Sequence, residues 1–200
     1  MKSIPSVITV ACLLSSTLLL TSCKTVPTQG EFAALSCGPK GNLLQQTDFL
    51  PADGQRPAWR VSQHASEPSF VTRIEDGVLS IEQKGDEPWF IFKQRIKDRS
   101  LSGATLRYSA LTKGSIQTEP KFHGFEHVAG LFYRTRTLGR QQVNYSAEMP
   151  PNQGEWEWQE VATTFEVPGD MNWIEVGFVH KAHGILQAKN PSLVIVACPE

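Results

Sequence analysis

The chain has 200 residues and a formal net charge of −1, from 19 basic and 20 acidic side chains. No basic patch or tail stands out, so the charge pattern gives no indication of nucleic-acid binding or of general attraction to an anionic membrane. A chain of this length is sufficient for one domain with a substantial hydrophobic core.

The first 22 residues are typical of a bacterial secretion signal. Lys2 forms a short basic start, and residues 7–20 are an apolar stretch that is too short to span a bilayer comfortably. The sequence Leu20-Thr21-Ser22-Cys23 resembles a lipobox, the motif in which the cysteine is acylated. We therefore predict a signal peptide over residues 1–22 and a lipid anchor at Cys23. An ordinary signal peptide with an incidental cysteine is the alternative.

Residues 23–40 are predicted to be the lipidated cysteine and a short tether, because their mixed sequence shows no hydrophobic period. Lys24 stands where the lipoproteins that this segment resembles carry an aspartate when they are retained at the inner membrane. The resemblance therefore implies a lipid-anchored protein of the bacterial cell envelope, at the outer membrane if the host has one. The folded domain is predicted to occupy residues 41–198.

Two cysteines remain in the mature chain outside the lipidation site, Cys37 and Cys198. They lie near the two ends of the predicted domain, and the secreted compartment is oxidising. A disulfide between them would be explained if the first and last strands lie side by side, and two free thiols are the alternative. We predict the disulfide, which the loop-entropy model values at about 4–5 kcal/mol for so long a loop.

Alternating hydrophobic residues predict a series of short strands separated by turns that contain glycine or proline. No long window after the signal has helical periodicity. This pattern predicts an all-β fold, an antiparallel β-sandwich or jelly roll. The predicted strands cover residues 42–49, 59–63, 69–74, 78–83, 88–96, 104–113, 128–137, 156–167, 173–180, 185–188 and 193–196.

Several short motifs follow one another in a recognisable order. They are Asn42-Leu43-Leu44, Asp48-Phe49, Trp59, Gly77-Val78-Leu79-Ser80-Ile81, Ala129-Gly130-Leu131-Phe132-Tyr133-Arg134, Trp158-Gln159-Glu160-Val161, Phe165-Glu166-Val167-Pro168, Ile174-Glu175-Val176-Gly177-Phe178 and Asn190-Pro191-Ser192-Leu193. Over nearly all of residues 41–197 this order resembles the galactose-binding-like jelly rolls, a group that includes many carbohydrate-binding modules of bacterial glycoside hydrolases. The resemblance implies an architecture more than a particular ligand.

Many members of that group hold a structural calcium ion through an acidic residue just before the last strand. This chain has Lys189-Asn190 at that place, and Leu50 follows Phe49 where a glutamate is often found. We therefore predict no cofactor and assign no calcium site.

Histidines offer two possible metal sites, and we favour neither. His123-Gly124-Phe125-Glu126-His127 has the spacing of the zinc-peptidase motif H-x-x-E-H, which requires a helix to bring both rings to one side. Pro120 and the strand pattern of residues 128–133 argue against a helix, so we interpret the motif as a polar loop. His180 and His183 flank a predicted turn, and we interpret them as exposed.

The sequence gives no indication of catalysis. No Gly-x-Ser-x-Gly motif is present. Glu155, Glu157 and Glu160 lie along one predicted strand, and one strand rarely supplies both carboxylates of a glycosidase, which must face each other across a cleft. We predict that the protein is not an enzyme.

Aromatic residues beside polar loops give the best candidate binding site. Sugars stack their C–H faces on aromatic rings, and polar side chains such as arginine bond the hydroxyls. We expect exposed rings at Trp89 and Trp156, whereas Trp59, Trp158 and Trp173 are interpreted as structural. Arg134 and Arg136 share one strand face, opposite Tyr133, and Tyr145 lies in the next polar segment. The predicted ligand-binding residues are Trp89, Trp156, Tyr133, Arg134, Arg136 and Tyr145.

Two functions are compatible with these observations. The first is a non-catalytic lipoprotein whose β-sandwich binds carbohydrate, and the second is a structural or protein-interaction module of the envelope with no sugar site. Exposure of Trp89 and Trp156 side by side would favour the first, and their burial would favour the second.

Overall fold

The computed structural model describes residues 41–64, 67–117, 124, 128–139, 141–142 and 154–198. This part of the chain contains ten strands, one turn of 3₁₀ helix at Arg99–Leu101 and no α-helix. No helix among these residues has the length and apolar character that crossing a membrane requires. The strands are β1 (Trp59–Gln63), β2 (Phe70–Glu75), β3 (Val78–Gln83), β4 (Phe90–Ile96), β5 (Thr105–Ile116), β6 (Val128–Thr137), β7 (Gln141–Gln142), β8 (Gly154–Glu166), β9 (Met171–Lys181) and β10 (Gly184–Ala197).

The strands form two antiparallel sheets of five strands each. Sheet A has the order β1-β4-β9-β6-β7, and sheet B has the order β2-β3-β10-β5-β8. Their inner faces share one hydrophobic core, in which rings from the two sheets touch. Phe70 stacks on Phe90 with 5.2 Å between ring centroids, and Phe165 stacks on Tyr133 at 4.1 Å. The predicted all-β antiparallel sandwich is confirmed.

The opening segment corrects one sequence prediction. We expected a strand over residues 42–49, and the structure has none there. Gln46 and Phe49 have positive φ angles of 51° and 69°, which lie outside the extended region that a strand needs. The reversal at Phe49 places its ring in the core, edge-on to Trp59 at 5.2 Å between centroids.

The start of the domain is attached to its last strand, β10. The backbone N–H of Leu43 donates to the carbonyl oxygen of Leu193 at 2.8 Å, and the Asn42 side-chain oxygen accepts from the N–H of Leu193 at 3.0 Å. This attachment is the arrangement that would explain a disulfide between Cys37 and Cys198. Cys37 lies outside the described residues, so the disulfide stays a prediction.

The last strand is longer than the sequence predicts. We expected two strands, at residues 185–188 and 193–196, and the structure has one continuous strand, β10. Its pairing with β5 shifts register between Lys189 and Ser192, and Asn190 has a φ of 52°. This bulge accommodates Pro191, which has no N–H to donate, without ending the strand.

Several predictions concern residues outside the described part of the chain. They include the signal peptide over residues 1–22, the tether over residues 23–40 with the lipid anchor at Cys23, and the histidines of the motif at residues 123–127. These predictions stay as the sequence analysis left them.

Candidate functional site

The outer face of sheet A carries the charged side chains of that sheet. Residues opposite each other in neighbouring strands point to the same side of a sheet. Arg95 of β4 lies opposite Glu175 of β9, which lies opposite Arg134 of β6. Ile174 and Val176, on either side of Glu175, point into the core, so these three side chains point away from it.

Glu175 is a buried carboxylate at the centre of an ion-pair network whose cations are partly exposed. Its carboxylate side chain is 2% exposed. Arg95 Nη2 lies 2.7 Å from Oε1, Lys93 Nζ lies 3.2 Å from Oε2, and Arg134 Nε donates to the same Oε2. We call these four residues the Glu175 cluster. Three cations share one carboxylate, so the cluster carries excess positive charge.

The network also sets the ionisation of its members. Burial by itself raises the pKa of Glu175, but hydrogen bonds from Arg134 and Arg95, with the charges of Arg134 and Lys93, outweigh burial and lower it. Burial lowers the pKa of Lys93, and the two arginines act in the same direction, while Glu175 opposes them. Because its pKa is lowered, Glu175 is charged at neutral pH and can form ion pairs with all three cations.

Trp173 lies beside the Glu175 cluster on the same face. It is opposite Arg136 in the β6–β9 pairing and is 5% exposed. The guanidinium carbon of Arg95 is 4.5 Å from the centroid of its ring, and that of Arg134 is 5.3 Å away. Cation–π contacts of this kind hold the two guanidinium groups in place. The ring supports the arginines, so it does not offer an open stacking surface.

An apolar cluster occupies the other end of this face. It consists of the buried side chains Ile91, Val128, Phe132 and Val179, with Trp89 packed against them. Trp89 is half-buried, and its ring lies edge-on to His64 at 6.4 Å between centroids. The outer face of sheet A therefore changes from apolar at one end to cationic at the other.

A cavity of about 1000 Å³ lies at the cationic end. Arg60 and Ser62 of β1 contribute to its wall, together with Lys93, Arg95 and Glu175 of the cluster. Because β1 is an edge strand, the cavity extends along the side of the sheet. Its volume is at the upper end of the range for ligand sites.

The expectation that Trp156 is exposed is wrong. The residue is 8% exposed and belongs to the hydrophobic core. Its indole lies over Gly114 of β5, where a Cβ would collide with the ring, and its Nε1 donates to Thr112 Oγ1 at 3.2 Å. The missing side chain at Gly114 makes the space that the ring fills. Trp156 thus has no open face on which a sugar could stack.

The structure places some of the remaining predicted site residues on one face and others elsewhere. Arg134 and Arg136 share the outer face of sheet A, as predicted, and Trp89 lies on the same face. Tyr133 points to the other side and stacks on Phe165 in the core, so the structure does not bring it to the arginines. Tyr145 lies outside the described residues. Ligand binding by any of these residues stays a prediction.

Sequence reasoning missed Lys93, Arg95 and Glu175, which form the centre of the site with Arg134, whereas the interpretation of Trp173 as structural agrees with its burial. A signal for one of them was present in the sequence. Glu175 is the sole acidic residue of the mostly apolar strand β9, and a carboxylate on such a strand needs cationic partners if it is buried. The identity of those partners depends on the strand order β4-β9-β6, which local sequence patterns do not give.

The histidines near the β9–β10 turn are less exposed than we predicted. His180 is completely buried and lies edge-on to Phe70 at 5.4 Å between ring centroids. His183 is half-buried, and its Nδ1 lies 2.8 Å from Gln83 Oε1. Among the residues that the structure describes, no group of three or more histidine, cysteine, aspartate or glutamate side chains could hold a metal ion.

Comparisons with known proteins identify the fold and not the family. No family model matches the chain, and no curated protein is significantly similar to it. Among solved structures, the CBM22-1 xylan-binding domain from Paenibacillus barcinonensis Xyn10C is similar with a TM-score of 0.52 at 10% identity, over 73% of this chain and 90% of that domain. At that identity the likeness shows a β-sandwich of the same kind.

Two further solved structures are less similar, with TM-scores below 0.5. The xylan-binding domain from CBM 22, formally x6b domain, has a TM-score of 0.49 at 11% identity, over 80% of this chain and 98% of that chain. The enzymatically active domain of bacteriophage CBA120 tailspike protein 4 has a TM-score of 0.47 at 14% identity, over 70% of this chain. That match spans 19% of the tailspike chain.

Proposed function

We propose that this protein is a non-catalytic lipoprotein that binds carbohydrate on the outer face of sheet A. The observation that carries the proposal is the Glu175 cluster beside the cavity of about 1000 Å³. Glu175 and the ring of Trp173 hold the donors of Lys93, Arg95 and Arg134 in fixed positions. Donors that are ordered before the ligand arrives reduce the entropy cost of binding its oxygen atoms.

Similarity to a xylan-binding domain supports this proposal. In that protein a sandwich of the same kind, 90% of which is matched by this chain, carries a polysaccharide-binding function. We extend carbohydrate binding from that domain to this chain. The sugar itself is not inherited from the comparison.

The arrangement of acidic residues supports binding without hydrolysis. On the described strands of sheet A, Glu175 is the sole acidic residue, and it is fully engaged with three cations. Glycoside hydrolysis needs a second carboxylate about 5–10 Å away across a cleft. Glu155, Glu157 and Glu160 are on β8 of the other sheet. Asp98 also lines the cavity, and its Oδ1 accepts hydrogen bonds from the backbone N–H and the hydroxyl of Ser100.

A panel of immobilised polysaccharides and a glycan array test the proposal. The full chain, purified in non-ionic detergent, is compared with Arg95→Ala and with the control Arg107→Ala on β5 of sheet B. We expect saccharide binding by the wild type, a loss of about tenfold or more for Arg95→Ala, and no change for Arg107→Ala. Circular dichroism confirms that each variant is folded. Equal losses in both variants would contradict the assignment to sheet A.

A protein-interaction module of the envelope is the second candidate. Burial of Trp156 and partial burial of Trp89 favour it by the criterion stated from the sequence, because no pair of open aromatic rings is present at those positions. Binding of no saccharide, together with specific cross-linking of the outer face of sheet A to one envelope protein, would replace the carbohydrate proposal with this one.

The lipid anchor is tested separately. Acylation at Cys23 predicts that the wild-type protein incorporates labelled fatty acid and sediments with membranes. Cys23→Ser is expected to abolish both, because a chain without acyl groups lacks the anchor. Membrane sedimentation of Cys23→Ser at the wild-type level would contradict the anchor. Sucrose-gradient separation of inner and outer membranes then tests the proposed outer-membrane location.

A further inference from the structure

The charges of sheet A are strongly one-sided. Its strands carry the basic residues Arg60, Lys93, Arg95, Arg134, Arg136 and Lys181 and the acidic residue Glu175. Register pairs place all of them on the outer face: Arg60 lies opposite Lys93, Arg136 lies opposite Trp173, and Lys181 lies opposite Val128 of the apolar cluster. A chain whose net charge is −1 therefore concentrates positive charge on one face of one sheet.

Part of this positive charge is available to a ligand. Arg60 and Arg136 are exposed, and neither has an ion-pair partner within the residues that the structure describes. The Arg95 side chain is 43% exposed although it also contacts Glu175. Glu175 neutralises one of the cluster's three cations. The face therefore offers a surplus of guanidinium groups to solvent.

The cations are also spread out in a way that suits a polymer. Arg60 is on β1 and Arg136 on β6, with β4 and β9 between them. Three inter-strand spacings correspond to about 14 Å. A single small anion could contact one end of this row. A chain that carries one negative group on each of several units could contact it throughout.

We propose that the ligand of this face is an acidic polysaccharide whose units carry carboxylate groups. This inference rests on the proposed function and specifies its ligand class. Planar guanidinium groups match carboxylates in bidentate geometry, and charge complementarity provides selectivity for an acidic chain over a neutral one. Nucleic acid is a polyanion too, but the predicted secretion signal and lipid anchor place the domain in the cell envelope, where glycans are the abundant polymers.

Polygalacturonate and its fully methyl-esterified form are matched probes, because they share a backbone and differ in charge. We expect the full chain in non-ionic detergent to retain polygalacturonate at least about tenfold more strongly than the methyl ester, and to lose that binding as salt rises from about 50 mM to about 500 mM. Neutral xylan and galactan serve as further controls, and single-stranded DNA as a competing polyanion.

Two double variants locate the binding. Arg60→Gln with Arg136→Gln removes two cations from sheet A, and Arg73→Gln with Lys113→Gln removes two from sheet B, so both variants have the same net charge. The first is expected to weaken polygalacturonate binding by about tenfold or more, and the second to leave it unchanged. Equal weakening by both variants would overturn the assignment of the ligand to this face.

The remaining outcomes separate this inference from the function on which it rests. Equal retention of polygalacturonate and its methyl ester, or preference for xylan or galactan, would leave carbohydrate binding in place and overturn the acidic ligand class. Tighter binding of single-stranded DNA would overturn both the ligand class and the carbohydrate function. Binding to no polymer at all would overturn both as well.

Discussion

The two sheets use their charged residues in different ways. On sheet B, cations and carboxylates meet at the surface: Arg107 lies 2.7 Å from Glu160, Lys113 lies 2.8 Å from Glu157, and Glu82 contacts both Arg73 and Lys84. On sheet A, Lys93, Arg95 and Arg134 all converge on Glu175. The Glu157 side chain is 84% exposed and that of Glu175 is 2% exposed, so the first arrangement is solvated and the second is buried.

This difference bears on the proposal that the outer face of sheet A is the binding face. Ion pairs between exposed side chains contribute little to stability, so the pattern of sheet B is that of an ordinary solvated surface. A buried carboxylate is costly to form and needs its partners, and we propose that this one is retained because it fixes the positions of the three cations. The comparison predicts that equivalent substitutions will have unequal effects on the two faces.

The largest effect is expected for Glu175→Gln. The substitution keeps the shape of the side chain but removes the charge that Lys93, Arg95 and Arg134 share. Breaking a buried ion pair by removing one partner typically costs about 3–5 kcal/mol, because the remaining charges are left uncompensated. Urea denaturation followed by tryptophan fluorescence measures the change in the free energy of unfolding.

Glu157→Gln is the matched control on sheet B. It also removes one carboxylate that pairs with one lysine, but at an exposed position. We expect its free energy of unfolding to stay within about 0.5 kcal/mol of the wild type. Similar losses for the two variants would show that the contrast between the sheets has no energetic basis.

A smaller part of the same effect should appear as a dependence on pH. The pKa of Glu175 is lowered in the folded protein, where arginine hydrogen bonds and cationic neighbours outweigh burial. Its stabilising contribution is therefore complete above the unfolded pKa of about 4.3 and is lost as pH falls through the lower folded value. Between about pH 5 and pH 3, the free energy of unfolding measured by urea denaturation should decrease more steeply with falling pH for the wild type than for Glu175→Gln. Equal decreases for the two proteins over this pH range would contradict the assignment of the effect to Glu175.

Period-two patterns are enough to predict the sandwich, because each strand buries one face. They give the bounds of β1, β3 and β6 as the structure has them. They fail where a single residue changes the backbone direction. The pattern predicts Phe49 to be part of a strand, but its positive φ angle makes a turn. Asn190 reads as a break between strands, but its positive φ makes a bulge inside β10.

The candidate site was harder to predict because its residues meet across strands. The common face of Arg134 and Arg136 follows from their spacing on one strand, and that prediction is correct. The partnership of Arg134 with Glu175 depends on which strands are neighbours. Likewise, the burial of Trp156 depends on Gly114 in an adjacent strand, which a pattern within β8 cannot reveal.

A moderate effect is expected for a substitution at Gly177 of β9, a glycine of sheet A. A Cβ at Gly177 would collide with the carbonyl oxygen of Phe92 and would lie 2.7 Å from the Cα of Lys93, so the strand that carries Lys93 would have to move. We expect Gly177→Ala to cost about 1–3 kcal/mol. Gly169→Ala, in open space after β8, should stay within about 0.5 kcal/mol. Thermal denaturation compares the two variants. An unchanged melting temperature for Gly177→Ala would show that β4 and β9 tolerate displacement.

The smallest effect is expected for the pair between Arg107 and Glu160 on sheet B. Their side chains are 22% and 56% exposed, so water and salt screen the attraction between them. A double-mutant cycle with Arg107→Ala and Glu160→Ala should give a coupling energy of at most about 1 kcal/mol, and less at high salt. The corresponding cycle with Arg134→Ala and Glu175→Ala should give several times that value, because both groups lose partners that water cannot replace. A coupling energy on sheet B as large as that on sheet A would mean that the surface pairs are held as firmly as the Glu175 cluster. The ordered cations of sheet A would then no longer distinguish its outer face as the binding face.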